Sequence, residues 1–273
     1  MRQQPFASPE EALEHFGIKG MRWGVRKADD PNAYVPAEGL GHGSQAFSLK
    51  HPKRLRVDHS NGFADVVPAK GIPTAKGRQN HDEMVASLKQ ARETYPAVAK
   101  LKVEVVPFSS LQFSPGRSAQ AGVMHGKSGE VFVAYNDTMK DHSARKVKSW
   151  EKWVPGTKYP GYVGQHEMGH VIAIANKLTP SNWDAVTDPN PYRSIDKIYS
   201  NMAQDDANHR AAFVKHGLSF QEVSKLSPYA ATSPAEAYAE LAGNYHTPQT
   251  RKRMSPELSR KAKALFEDSG GSR

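Results

Sequence analysis

Apolar and polar positions along the chain change period several times, and each change predicts an element. Tyr162, Val163, His166, His170, Val171 and Ile174 follow helical spacing, and Val171 to Ala175 continues as an apolar run. Pro160-Gly161 marks the start and Thr179-Pro180 the stop, a helix of about four turns at 3.6 residues each. A second helix is predicted from Pro234, with Ser233 as N-cap and the proline at the first helical position. Between Gly122 and Tyr135 the pattern turns to alternation. Val131, Val133 and Tyr135 form one face, and Gly126 to Gly129 form the turn of a hairpin. Upstream, Asn80 is placed to cap a helix carrying Met84, Val85, Leu88 and Ala91, followed by a strand over Leu101 to Val106. Residues 206–216 and 234–246 supply further helices, and Pro256 to Glu267 reads as a solvated helix in a charged tail.

This order predicts an α+β domain over residues 80–247, with a charged C-terminal tail over 248–273. Residues 1–79 form an irregular N-terminal extension. Within it, Pro31, Pro36, Gly39, Gly41, Gly43, Pro52, Pro68, Gly71, Pro73 and Gly77 break any period, so 28–79 is expected to be a linker or prosegment.

Composition narrows the picture only a little. In 273 residues, 38% hydrophobic and 24% charged leave room for one sizeable core but not for a core along the whole length. The absence of cysteine excludes disulfides and thiolate metal sites. No apolar run is long enough to span a membrane, and no signal-peptide apolar region follows the first residues. The excess of basic residues, 37 Lys+Arg against 28 Asp+Glu, is spread through the chain without a recognition motif. It reads as a solvated surface rather than a nucleic-acid footprint.

The candidate chemistry lies in the first helix. His166, Glu167 and His170 form an H-E-x-x-H signature, with the histidines one turn apart on one face and able to reach one metal ion. Glu167 then stands beside the metal, free to act as general base on a bound water, which points to a zinc hydrolase and to peptide hydrolysis. A third protein ligand is required. The metzincin extension would need glycine at 173 and histidine at 176, where the chain has Ala173 and Asn176. Downstream candidates are Asp184, Asp188, Asp205, Asp206, His209, His216, Glu222, Glu236, Glu240 and His246. Glu236 is favoured because it falls in the first turn of the Pro234 helix, with Glu240 one turn later on the same face. One carboxylate could bind metal while the other holds a ligating histidine by its second nitrogen. The competing account is an ordinary capping box formed by Ser233 and Glu236.

The run containing Tyr229, Glu236, Tyr238 and Glu240 resembles the second motif of the anthrax-lethal-factor-like zinc peptidases, a group that includes the Pro-Pro endopeptidases. There a tyrosine lies seven residues before the ligating glutamate and a further glutamate four residues after it. The resemblance implies a zincin-like fold, with a small mixed sheet, a metal-binding helix and C-terminal helices. It also implies one zinc ion on His166, His170 and Glu236, with Glu167 as base and Tyr229 as oxyanion donor. The hairpin's edge strand would pair with an extended protein or peptide substrate. The separation of His170 from Glu236 exceeds the family's, and the extra length falls in Thr179 to Gln204, which reads as an inserted loop.

One other stretch is unusual. Residues 15–27 carry Gly17, Gly20 and Gly24 with Lys19, Arg22, Arg26 and Lys27 around Trp23, a poor helix and a poor core element. Trp23 with Arg22 and Arg26 could anchor in a partner's pocket. The segment resembles a short sequence that recurs in tailed-bacteriophage structural proteins, departing from it at Arg22 and Lys27. That resemblance implies a phage origin and docking to phage structural proteins. Two functions follow as expectations: a phage-encoded zinc endopeptidase acting on virion or host proteins, or a catalytically silent minor head protein on a zincin scaffold.

Overall fold

The computed structural model describes residues 55–58, 64–68, 74–108, 120–125, 131–139, 151–179 and 191–268. The docking segment, with Arg22, Trp23 and Arg26, lies outside the described residues, as does the hairpin turn. Helices and a mixed sheet share one core, so the α+β class holds.

The sheet has five strands in the order β1-β2-β3-β5-β4. These are β1 (Leu55–Asp58), β2 (Ala64–Pro68), β3 (Val103–Pro107), β4 (Ala121–His125) and β5 (Val131–Tyr135). β2, β3 and β5 run parallel, while β1 and β4 are antiparallel to their neighbours. The hairpin register sets Val123 opposite Val133 and Ala121 opposite Tyr135. All five residues of β5 are buried, as a central strand covered on both faces requires. Among the described residues β4 forms one edge of the sheet and β1 the other.

Two strands therefore arise inside the stretch read as a linker or prosegment. β2 joins the sheet beside β3, pairing Ala64 with Glu104 and Asp65 with Val105. Prolines and glycines around the strands hid them, because strands this short owe their conformation to pairing rather than to a pattern of their own.

The helical layer begins earlier than Asn80. Helix α1 (Ala75–Thr94) is capped by Thr74, whose hydroxyl accepts from the Gly77 amide at 2.9 Å. Asn80 is buried in its second turn and donates to the Asn136 carbonyl at 3.0 Å, fastening α1 to the end of β5. Gly77 looked like a breaker, but its function is close approach: a side chain there would run into the Asp137 backbone. Met84, Leu88 and Ala91 face the core, as the spacing predicted.

A short helix α2 (Pro96–Ala99) leads into β3. After the hairpin come a 3-10 turn (Pro155–Lys158) and helix α3 (Tyr162–Ala175), which carries the H-E-x-x-H residues. The expected inserted loop over 179–204 is corrected in its second half, where helix α4 spans Pro191–Lys215. Polar composition there suits an amphipathic helix as well as it suits a loop. From Asp205 on, α4 turns Asp205, His209 and Phe213 inward.

Helices α5 (Phe220–Val223), α6 (Pro234–His246), α7 (Pro248–Arg251) and α8 (Pro256–Asp268) complete the described chain. The solvated tail is also corrected. Ala262, Leu265 and Phe266 of α8 are buried, with Phe266 stacked on Tyr245 and edge-on to Tyr238. The charged residues occupy the outer face, so the domain runs on past residue 247.

Candidate metal centre

Helix α3 is apolar on nearly every side because it is packed on two sides by other helices. Its own N-cap, Gly161, sits at φ 83 and offers no side chain to the first turn. Glu83 of α1 supplies the acceptor instead, taking the Gly164 amide at 2.9 Å. A Cβ at Gly164 would collide with Ser87 and with the Glu83 carbonyl, so glycine lets α1 approach. On another side, a Cβ at Gly169 would lie 2.7 Å from Ala239 Cα and 2.9 Å from Ala242 Cβ of α6. The small residues of α6 and Gly169 thus set the spacing between the two helices that carry the candidate ligands.

Helix α6 starts as its sequence predicted. Ser233 is extended, Pro234 follows it, and the Ser233 hydroxyl accepts from the Glu236 amide at 3.1 Å. The side chain of Glu236 reaches the histidines. Its Oε2 is 3.3 Å from His166 Nε2 and 3.4 Å from His170 Nε2, and it makes no standard hydrogen bond. One ligand atom from each of His166, His170 and Glu236 lies within 4.8 Å of the others, so the triad could hold a metal ion.

The spacing can be tested against metal geometry. Bonds of about 2.0–2.1 Å to N and O in a tetrahedral site place neighbouring ligand atoms about 3.3–3.4 Å apart. The two Glu236 distances match that edge. The donor set, two imidazole nitrogens and one carboxylate oxygen, suits a divalent metal with a position left for water or substrate.

Glu240, one turn after Glu236, is fully buried and lies 3.1 Å from His166 Nδ1. The Ser227 hydroxyl donates to its other oxygen at 2.6 Å. Tyr162 packs its hydroxyl against the same carboxylate and accepts from Asn244 at 3.0 Å. With Nδ1 hydrogen-bonded to a carboxylate, His166 turns Nε2 toward Glu236. Burial works against charge on His166, but Glu236 and Glu240 on either side outweigh it and raise its pKa well above the usual value. Burial likewise works to raise the Glu236 carboxyl, yet His170 and His166 together hold it well below the usual carboxylate range.

Glu167 is buried beside the triad. Burial raises its pKa, and the histidines on either side only partly offset that shift. Tyr229 is buried with its ring 5.7 Å from that of His166, inside a small cluster with Met139, Trp153, Val154 and Tyr162. Burial, then Glu236, Glu167 and Glu240, raise its hydroxyl well above 10, so it remains a proton-bearing donor.

The structure thus gathers His166, Glu167, His170, Tyr229, Glu236 and Glu240. Of the other downstream candidates, Asp205 and His209 are buried on α4 close to the centre but do not join the triad. Burial pushes Asp205 up to about 7 and His209 down to about 4. Glu222 pairs with Lys261 at 3.2 Å, and His246 pairs with the Tyr95 hydroxyl at 2.8 Å. Asp184 and Asp188 lie outside the described residues. Sequence reasoning missed Ser227, Glu83 and Asn244, each of which acts through a partner that folding brings to it.

Residues 7–30 match the model of a family of unknown function (DUF7211), a stretch that includes the glycine- and arginine-rich segment around Trp23. No curated protein and no solved structure matches the chain. Among the described residues, no helix is long and apolar enough to cross a membrane.

Proposed function

We propose that the protein is a zinc-dependent endopeptidase, of the kind its two motifs resemble. The observation that carries this reading is Glu236 Oε2, buried and set at metal-ligand spacing from both H-E-x-x-H imidazoles. Two histidines and a glutamate make up a ligand set used by catalytic zinc. Bound there, zinc would lower the pKa of its water to about 7 and polarise a substrate carbonyl.

The chain's own residues supply the rest. His166, His170 and Glu236 would hold the ion, and Glu240 keeps the His166 ring in place. Glu167 takes the proton of the attacking water and delivers it to the leaving amine. Its raised pKa suits both halves of that transfer. Tyr229, held neutral by burial, donates to the oxygen on which negative charge develops. Among the described residues β4 pairs with β5 alone, so its other side offers an edge on which an extended peptide could add as a strand. The resemblance of residues 15–27 to phage sequences makes virion and host proteins the substrates to test first.

The test is zinc analysis of the purified protein together with cleavage of a peptide library, with and without chelator. Glu167→Gln should keep zinc and lose cleavage. A Glu167→Gln protein that cleaves at the wild-type rate, or a wild-type protein that takes up no zinc, overturns the reading.

A further inference from the structure

Glu240 is the most enclosed charged group near the centre, and its partners decide what His166 can do. The Ala230 amide donates to Ser227 Oγ at 2.9 Å. An amide N–H cannot accept, so the Ser227 proton is free for another acceptor, and Glu240 Oε2 lies 2.6 Å away. That length is typical of a hydroxyl donating to a carboxylate. Ser227 and Glu240 are both buried, so water does not compete for either. Held by Ser227 on Oε2 and touched by the Tyr162 hydroxyl, the carboxylate presents Oε1 to His166 Nδ1–H at 3.1 Å. His166 Nε2 then faces Glu236 at 3.3 Å and is the nitrogen placed to bind a metal ion.

Ser227 also belongs to the turn that carries Tyr229. The Ala230 amide closes this turn on the serine hydroxyl, and the Thr232 amide and hydroxyl return to the Tyr229 carbonyl at 3.0 and 2.7 Å. The turn bearing Tyr229 is therefore closed by Ser227 on one side and by Thr232 on the other.

We infer that Ser227 is a positioning residue: acting through Glu240, its hydroxyl fixes the tautomer and tilt of His166 and couples metal binding to the segment bearing Tyr229. The inference rests on the metal reading of the site, but its test reads metal affinity rather than cleavage. Loss of a partner of this kind costs about 10–100-fold in metal affinity. Linkage then requires the metal to order the turn as much as the turn favours the metal.

The experiment measures zinc affinity of the full chain by chelator competition, with the melting of metal-free protein as a control on folding. Ser227→Ala should bind zinc at least tenfold more weakly, and Ser227→Thr, which keeps the hydroxyl, should restore binding. Ser227→Cys preserves the turn's size with a weak donor and should behave like alanine, which keeps the test valid if alanine unfolds the turn. In a double-mutant cycle with Glu240→Gln, the Ser227→Ala loss should largely vanish. Zinc should slow hydrogen exchange over 229–232 in wild type and much less in Ser227→Cys.

Folded Ser227→Ala or Ser227→Cys proteins with affinity within twofold of wild type overturn the inference. So do losses that add independently with Glu240→Gln, since Ser227 would then not act through that carboxylate. Wild-type protein that takes up no zinc overturns this inference and the metal reading together. Zinc uptake without peptide cleavage counts against the peptidase alone.

Discussion

Gly169→Ala tests the helix spacing on which the centre depends. In an isolated helix the change is favourable by about 1 kcal/mol. Here the new methyl carbon would sit 2.7 Å from Ala239 Cα and 2.9 Å from Ala242 Cβ. Carbon atoms pack best at about 3.5–4.0 Å, so α3 and α6 must separate by roughly 0.6–1 Å. Neither neighbour can rotate away, because one is backbone and the other is an alanine methyl. Overpacking of this kind costs about 1–3 kcal/mol, and its upper half applies where nothing yields. Subtracting the helix gain leaves a net loss of about 1–2 kcal/mol, measurable by urea unfolding of metal-free protein. The metal effect should be larger in proportion. His166 and His170 lie on one helix and Glu236 on the other, at 3.3 and 3.4 Å. Metal bonds tolerate about 0.2 Å, so the same separation should cost roughly tenfold or more in zinc affinity. An alanine variant as stable as wild type, with unchanged affinity, would refute the packing argument and with it the account of how the ligands are brought together.

Three further outcomes are expected. Tyr229→Phe should fold and bind zinc normally but cleave peptides about 10²–10³-fold more slowly, as kcat measured against a peptide substrate would show. Phe266→Ala should cost about 3–5 kcal/mol in denaturant unfolding, because the ring is buried against Tyr238 and Tyr245; a loss under 1 kcal/mol would return α8 to the solvent. Burial, and to a lesser extent Arg251, lower the pKa of His246 to about 4, so folding favours its neutral form. That contribution is complete above the unfolded value of about 6.5 and is lost as pH falls from there toward 4. Melting temperatures of His246→Gln should therefore decline less steeply than wild type over that window.

The elements legible in the chain were those whose chemistry or period is local. Two histidines on one face require a helix, and α3 is that helix; Ser233-Pro234 announces α6 whatever it packs against. The hairpin is read from alternation between glycines. By contrast β1 and β2 become strands only through pairing with a sheet assembled from distant chain, and Gly77 signals a break until the Asp137 backbone beside it is known. The charges of α8 drew attention from Ala262, Leu265 and Phe266 at helical spacing. The support of the centre was least legible. Glu83 caps a helix that starts 79 residues later, and Ser227 acts on a glutamate whose role depends on a histidine 74 residues upstream.

Charge gives a reason for the choice of Glu236 over the other acids. Glu167, Glu236, Glu240 and Asp205 are all buried around two imidazoles, and no Lys or Arg pairs with any of them among the described residues. Burial acts against charge on Glu167, Glu236 and Asp205, and the neighbours decide the result. At Asp205 the Thr179 hydroxyl and the more distant His170 offset little, and the carboxyl is pushed up to about 7. At Glu236 two imidazoles lie within 3.4 Å, and the carboxyl stays ionised. Glu236, whose carboxyl is held low and whose oxygen stands at ligand spacing from both imidazoles, is the acid prepared for a cation. A divalent ion on the triad would compensate the surrounding negative charge, so the centre should stabilise the fold when loaded. At a free zinc concentration a thousandfold above Kd the gain is about 4 kcal/mol. Zinc should therefore raise the melting temperature of wild type far more than that of Glu236→Ala, whereas Asp205→Asn should leave most of the gain in place.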